Sequence, residues 1–239
     1  MTGTDQLAKV RALLAKAESE AALGNDAAAD AYNAKAATLM AKHGIDAALA
    51  AETKPDGDPR TSKVMTFRAP HAKAHGYLYA KVLGAMRIRV ILKDGYKTVH
   101  VFGYQSDLDL AEMMHTSLSV QALRGLAKAP IRPANYAGAD VRSFYYKFAE
   151  VVAGRLRDIY AATAKTAQDE AGAGQSVALV LADRTALVNQ DVRAEYPVLG
   201  KVRVTMSGRA GHAGAEAGRR ADLGLDARIG AGSGRALGR

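Results

Sequence analysis

Lys9 to Asp46 reads KVRALLAKAESEAALGNDAAADAYNAKAATLMAKHGID, and its spacing decides how the rest of the chain is understood. Leu7, Val10, Leu14, Ala17 and Ala21 recur at alternating intervals of three and four, so a helix places them on one stripe. Lys9, Arg11, Lys16, Glu18 and Glu20 then face water. Gly24 ends that helix, and Asn25 or Asp26 caps the next by accepting a hydrogen bond from an otherwise unpaired N–H. Ala29, Tyr32, Ala36, Leu39, Met40 and His43 repeat the spacing, which predicts a helical hairpin. Lys42-His43-Gly44-Ile45 reads as the end of the second helix: cations at the negative end of the dipole, a glycine suited to a left-handed turn, and Ile45 folding back on Met40.

The composition sets the class. A chain of 239 residues with 49% hydrophobic and 24% charged side chains has enough apolar material for an ordinary core. With no cysteine, disulfides, thiolate metal sites and thiol catalysis are excluded. There is no run of eighteen apolar residues and no basic-then-apolar leader, from which we expect a cytoplasmic protein. The net charge of +9 is unevenly spread. Residues 1–60 carry 7 basic and 9 acidic side chains, residues 61–206 carry 20 and 12, and residues 207–239 carry 6 and 3. A basic middle of this kind attracts nucleic acid or an acidic partner through counterion release.

These shifts divide the chain into a helical hairpin at 1–50, a linker at 51–60, an α+β core at 61–206 and a Gly/Arg-rich C-terminal segment at 207–239. Glu52-Thr53-Lys54-Pro55-Asp56-Gly57-Asp58-Pro59 is linker-like in its proline, glycine and charge content. Lys63 to Arg68 alternates as a strand, and Ala72 to Ala85 forms a helix with Leu78, Val82 and Met86 inward. Arg87 to Leu92, the Asp94-Gly95 turn and Thr98 to Tyr104 read as a β-hairpin. Ser106 is suited to N-cap a long helix toward Lys128, stopped by Pro130 and Pro133. A second long helix runs from Asp140 to about Glu170 on the spacing of Phe144, Phe148, Val151, Leu156 and Ile159. Val177 to Leu181 fits a buried strand or a helix, and the interval of Arg184, Val188 and Val192 favours helix to about Ala194. Lys201 to Met206 alternates as a further strand. The fold class expected is α+β: an N-terminal helical hairpin, then a small sheet flanked by long helices.

Glycines at 208, 211, 214 and 218 suit a helix packed closely on a neighbour, followed by a loose basic end. Neither a Gly-x-x-x-x-Gly-Lys-Ser/Thr loop nor a Gly-x-Gly-x-x-Gly turn after a strand is present to hold phosphate. His71 and His75 have a metal-ligand spacing, but Pro70 and Lys73 make this a surface helix start. Glu112 and His115 share a helix face, yet the first histidine of His-Glu-x-x-His is replaced by Ala111, leaving too few ligands for a zinc centre. His43 reads as a helix C-terminal cation, His100 as a strand-surface residue and His212 as part of the tail. Ser143 sits in no nucleophile elbow. We therefore expect no catalytic residues, no cofactor and no metal. In Arg142-Ser143-Phe144-Tyr145-Tyr146-Lys147-Phe148 the phenylalanines fall on a core stripe, leaving Arg142, Tyr145 and Tyr146 as candidate partner or nucleic-acid contacts. Arg209, Arg219 and Arg220 of the C-terminal segment join them.

The segments Lys9 to Ser19 and Ala36 to Ile45 resemble the N-terminal signature of a phage and actinobacterial family of unknown function, the DUF2786 type. The chain departs from its pattern at Ala28-Ala29-Asp30, where the family carries a glutamate. Val99 to Asp107, the Ser143-Phe144-x4-Ala149 helix and Gly218 to Gly224 are similar to the phage members, so the resemblance extends over most of the chain. Among the proteins it resembles are actinophage recombination directionality factors, which implies a noncatalytic protein that binds a large serine integrase and switches it from integration to excision. The alternatives are a direct DNA-binding protein and, because strand, hairpin and helix follow in the same order, a degenerate protein of the SprT-like metalloprotease fold.

Overall fold

The computed structural model describes residues 3–23, 25–53, 57–132, 134–171, 176–200, 208–221 and 223. Helix α1 (Gly3–Ala22) and helix α2 (Asp26–Thr53) form the expected hairpin. Asn25 Oδ1 accepts from the amide of Ala28 at 3.4 Å and caps α2. Val10, Leu14 and Ala17 are buried, as are Ala36, Met40 and Ala41 of the partner helix.

Helix α2 does not stop at Gly44, as its C-terminal signature suggests, but continues through Thr53. The glycine serves a tertiary contact instead: a Cβ there would lie 2.8 Å from Oδ1 of Asp107, on a distant helix. A mid-helix glycine costs about 1 kcal/mol relative to alanine, and here that cost admits a carboxylate against the helix backbone. His43 consequently lies inside the helix, with Nδ1 buried and without a hydrogen-bond partner among the described residues.

Strands β1 (Arg60–Thr66), β2 (Arg89–Lys93) and β3 (Thr98–Tyr104) form an antiparallel sheet in the order β1-β3-β2. Thr98 stands opposite both Thr66 and Lys93. Helix α3 (Ala72–Ala85) connects β1 to β2, and a short 3-10 turn at Asp94–Tyr96 joins β2 to β3. The central strand is covered on both faces, because Val99 and Val101 join the main core while Phe102 and Tyr104 join a second cluster with Ile91, Val188 and Val192. His100 is therefore a buried residue, 4% exposed, and not a surface one. Its Nδ1 lies 2.7 Å from the hydroxyl of Tyr196.

Helix α4 (Gln105–Ala127) starts one residue before Ser106, so that serine cannot cap it. Asp58 from the preceding segment supplies the cap, accepting from the Ser106 amide at 3.0 Å and from its hydroxyl at 2.8 Å. Helix α5 (Ala134–Ala171) has 38 residues, about 57 Å at 1.5 Å per residue. Phe144, Phe148, Val152 and Leu156 are fully buried along it and form one cluster with α1, α2, α3 and α4. Residues 177–195 are a helix, α6 (Val177–Glu195), capped by the hydroxyl of Ser176 and laid over the outer face of β2 and β3. Lys201 to Met206 lie outside the described residues.

The glycine-spaced segment forms α7 (Gly211–Arg220), packed on α5. A Cβ at Gly214 would fall on the carbonyl oxygen of Phe144. One at Gly218 would lie 2.9 Å from that of Phe148. Arg155 of α5 donates to the carbonyls of Gly218 at 3.0 Å, Arg219 at 2.9 Å, and Ala221, closing the C-terminal end of α7. Among the described residues no helix is long and apolar enough to cross a membrane.

The seam between α5 and α7 yields a direct test. Gly214→Ala should destabilise the protein by about 1–3 kcal/mol through backbone displacement. Substitution of the adjacent exposed His212 by alanine should stay within about 0.5 kcal/mol. Urea unfolding followed by circular dichroism measures both.

Candidate nucleic-acid interface at one end of the sheet

Basic charge is concentrated in the unit β1-α3-β2-β3. Residues 61–104 contain eight lysines and arginines and one acidic residue, Asp94. Four of these cations are engaged: Lys63 binds both carboxylate oxygens of Glu112, at 2.6 and 2.9 Å, Lys81 lies over the ring of Tyr77, Arg87 over that of Tyr160, and Lys93 over that of Tyr196. Arg68, Lys73, Arg89 and Lys97 are exposed with no ion-pair partner among the described residues, and Arg89, opposite Phe102, lies toward the far end of the sheet from the other three.

The fold gathers these three at one end of the sheet. The amide of Phe67 donates to the carbonyl of Lys97 at 2.8 Å, one step beyond the last β1-β3 pair, and Arg68 follows directly at the same end of the sheet. Gly76 lets α3 press its backbone on the carbonyl of Tyr96, and the Lys73 ammonium lies beside Gly95. Helix α5 closes the same end through Tyr77 against Tyr146, with ring centroids 4.3 Å apart, and His75 against Tyr145 at 4.9 Å. Arg142, one turn before Tyr146 and partly exposed, adds a fourth cation. Such a face attracts a polyanion through counterion release, and side chains without an ion pair can bind phosphate without first breaking one.

The candidate residues separate into groups. Arg142 and Arg209 lie within a turn of one another along α5, because the Arg209 amide donates to Asp140 Oδ1 at 2.8 Å. Asp140 is fully buried and also binds the Arg132 guanidinium at 2.7 Å, hydrogen bonds that hold its carboxyl well below the usual carboxylate range. Arg219 and Arg220 are exposed at the other end of α7, by Arg155, about 20 Å along α5 from Arg142. Arg220 pairs with Glu216. Tyr145 and Tyr146 are 2% and 6% exposed. Their rings face α3, so they support the basic end from beneath and offer no free face to a base. Arg68, Lys73 and Lys97 escaped the sequence reading because they lie far apart in the chain and share no helical face. Only the β1-β3 register and the α3 crossover bring them together.

The histidine and glutamate candidates meet between α3 and α4. Tyr79 donates to Glu112 at 3.4 Å, His115 packs edge-on against Tyr79, and His115 Nε2 lies 3.1 Å from the Ser119 hydroxyl. Burial, then the nearby His75, lowers the His115 pKa to about 4, so its ring is neutral near pH 7. Glu112 is committed to Lys63 and Tyr79, and Ala111 at the missing ligand position is fully buried. Among the described residues no three histidine or carboxylate side chains converge as a metal site would require.

A second polar cluster ties the molecule together. Arg184 of α6 binds Asp58 Oδ2 at 2.7 Å, lies 3.5 Å from Asp107 Oδ2, and stacks 3.3 Å from the centre of the Tyr104 ring. Its Nη1 is buried without an acceptor among the described residues. A cavity of about 20 Å³, the space of one water, opens beside it among Gly44, Arg87, Asp107 and Tyr160. Burial raises the Asp107 pKa from its ordinary 3.8 to about 6, against the opposing pull of Arg184 and Arg87 and with a further push from Asp58.

Between its ordinary 3.8 and about 6, folded Asp107 holds a proton that the unfolded chain has released, so its contribution to stability falls as pH rises through that window. Asp107→Asn should flatten that part of the stability profile relative to the parent protein, as read by urea unfolding at a series of pH values. A parallel pair of profiles would contradict the assignment.

A family model described as "Protein of unknown function (DUF2786)" matches residues 6–47, which are most of α1 and most of α2. No curated protein and no solved structure matches the chain.

Proposed function

We propose that this protein is a noncatalytic accessory factor of DNA recombination: it binds a large serine integrase, shifts it from integration toward excision, and turns its basic end toward the DNA of the complex. The observation that carries this reading is the grouping at one end of the sheet of the exposed cations Arg68, Lys73 and Lys97 with the partly exposed Arg142, without ion pairs among the described residues. The resemblance of the α1-α2 hairpin and later segments to phage proteins of this kind supports the choice of partner.

The mechanism is differential binding. A factor of this type reverses a recombinase only by stabilising one synaptic arrangement more than another. A hundredfold bias corresponds to about 2.7 kcal/mol, within reach of a modest interface. The chain would act at the host nucleoid, in the cytoplasm, with the integrase as its protein partner.

Two measurements test the proposal. The purified protein should capture a large serine integrase in the absence of DNA and should permit recombination between the two hybrid attachment sites. Neither association nor excision would remove the integrase reading. Direct DNA binding, the second reading favoured by the same cations, is tested by gel shift across a salt series. Changing Arg68, Lys73, Lys97 and Arg142 together to glutamine should lower the slope of log affinity against log salt by about 0.9 for each phosphate that the face no longer neutralises. An unchanged slope would mean that DNA does not meet this face.

A further inference from the structure

Arg184 and Arg87 reach one small cavity of about 20 Å³ from opposite sides of the fold, and Gly44, Asp107 and Tyr160 complete its polar lining. The two guanidiniums are incompletely served. Arg184 is 9% exposed, and its Nη2 makes both carboxylate contacts, 2.7 Å to Asp58 and 3.5 Å to Asp107. Its Nη1 is buried and donates to no acceptor among the described residues. Arg87 has no ion pair among the described residues; it lies over the Tyr160 ring and donates to the Tyr160 carbonyl at 3.4 Å. Burial lowers its pKa, as befits a cation short of compensating charge. A buried charged donor without an acceptor is costly, which makes this cavity a place for a ligand that accepts hydrogen bonds.

Asp107 decides the charge of that ligand. The groups facing it are Arg184 of α6, Asp58 before β1, Arg87 after α3 and Tyr160 of α5. With Asp107 ionised, two carboxylates balance two guanidiniums. Burial lets Asp107 keep its proton up to about pH 6, and one positive charge is then left over. Water could accept from Nη1 but brings no charge to offset the second guanidinium. The volume takes a single particle near the size of a water molecule, which admits a halide and excludes sulfate, phosphate and organic carboxylates.

We propose that this cavity is a halide site, in which Arg184 Nη1 and the Arg87 guanidinium hold one chloride ion whose binding is coupled to a proton on Asp107. Chloride and proton then favour one another reciprocally, and both stabilise the folded chain. The site is independent of the recombination role and stands or falls without it.

Urea unfolding of the full chain tests this at pH 5 and pH 8, in sodium chloride or sodium gluconate of equal ionic strength. At pH 5 the folded-to-unfolded ratio should rise about tenfold for each tenfold increase in chloride above its dissociation constant, and at pH 8 it should respond to the two salts alike. Asp107→Asn, neutral at every pH, should carry the chloride response to pH 8. Crystals grown at pH 5 in sodium bromide should show an anomalous scattering peak beside Arg184 Nη1. Equal effects of chloride and gluconate at pH 5 would overturn the proposal. So would an Asp107→Asn protein that ignores chloride at pH 8, or bromide found at surface positions only, with water in the cavity.

Discussion

The guanidinium of Arg184, held between the Tyr104 ring and the carboxylates of Asp58 and Asp107, is the interaction on which the arrangement of this molecule depends. One side chain from α6 reaches the segment before β1, the last residue of β3 and the first turn of α4. The same Asp107 carboxylate occupies the gap left by Gly44, so α2 is drawn into the assembly as well. Burying charge is costly unless it is paired, and removing one partner of such a pair typically costs about 3–5 kcal/mol. Asp58 has a double duty: it caps α4 and anchors α6, so a residue that looks like part of a polar linker sits at a structural junction.

Charge and burial divide the labour between the ends of α4. Its first turns carry Asp107, Asp109 and Glu112, its last turn carries Arg124, and Lys128 follows as the C-cap, an order that suits the helix dipole. The basic end of the sheet lies beyond the N-terminus of α3, where Arg68, His71 and Lys73 follow one another closely in sequence. Tyr77, Tyr96 and Tyr146 fill the space beneath it. These buried aromatic rings pack the backbone that carries the exposed cations.

Much of this was legible in the sequence. The hairpin, the α+β class, the β2-β3 hairpin, the long helices and the glycine-spaced α7 all follow from periodicity and turn chemistry acting locally. What misled the reading was tertiary in origin. Gly44 has the setting of a helix terminator, yet the neighbour that requires it is the distant Asp107. Ser106 has the chemistry of a cap, yet Asp58 arrives first. His100 alternates as if exposed, but α6 covers the outer face of its strand. Tyr145 and Tyr146 stand between basic residues and are nevertheless consumed by α3. The candidate interface shared that fate in reverse, since its cations become neighbours only once the strands are in register.

The seam between α5 and α7 has a consequence for assembly. Gly214 and Gly218 bring one main chain against the carbonyl groups of another. A slip of α7 by a single position would drive the methyl group of Ala213, Ala215 or Ala217 into an oxygen atom. Misaligned docking is thus rejected by hard-sphere exclusion before any attractive force can compensate. The final helix of the described chain therefore proofreads its own seating, and it does so with the smallest side chains available.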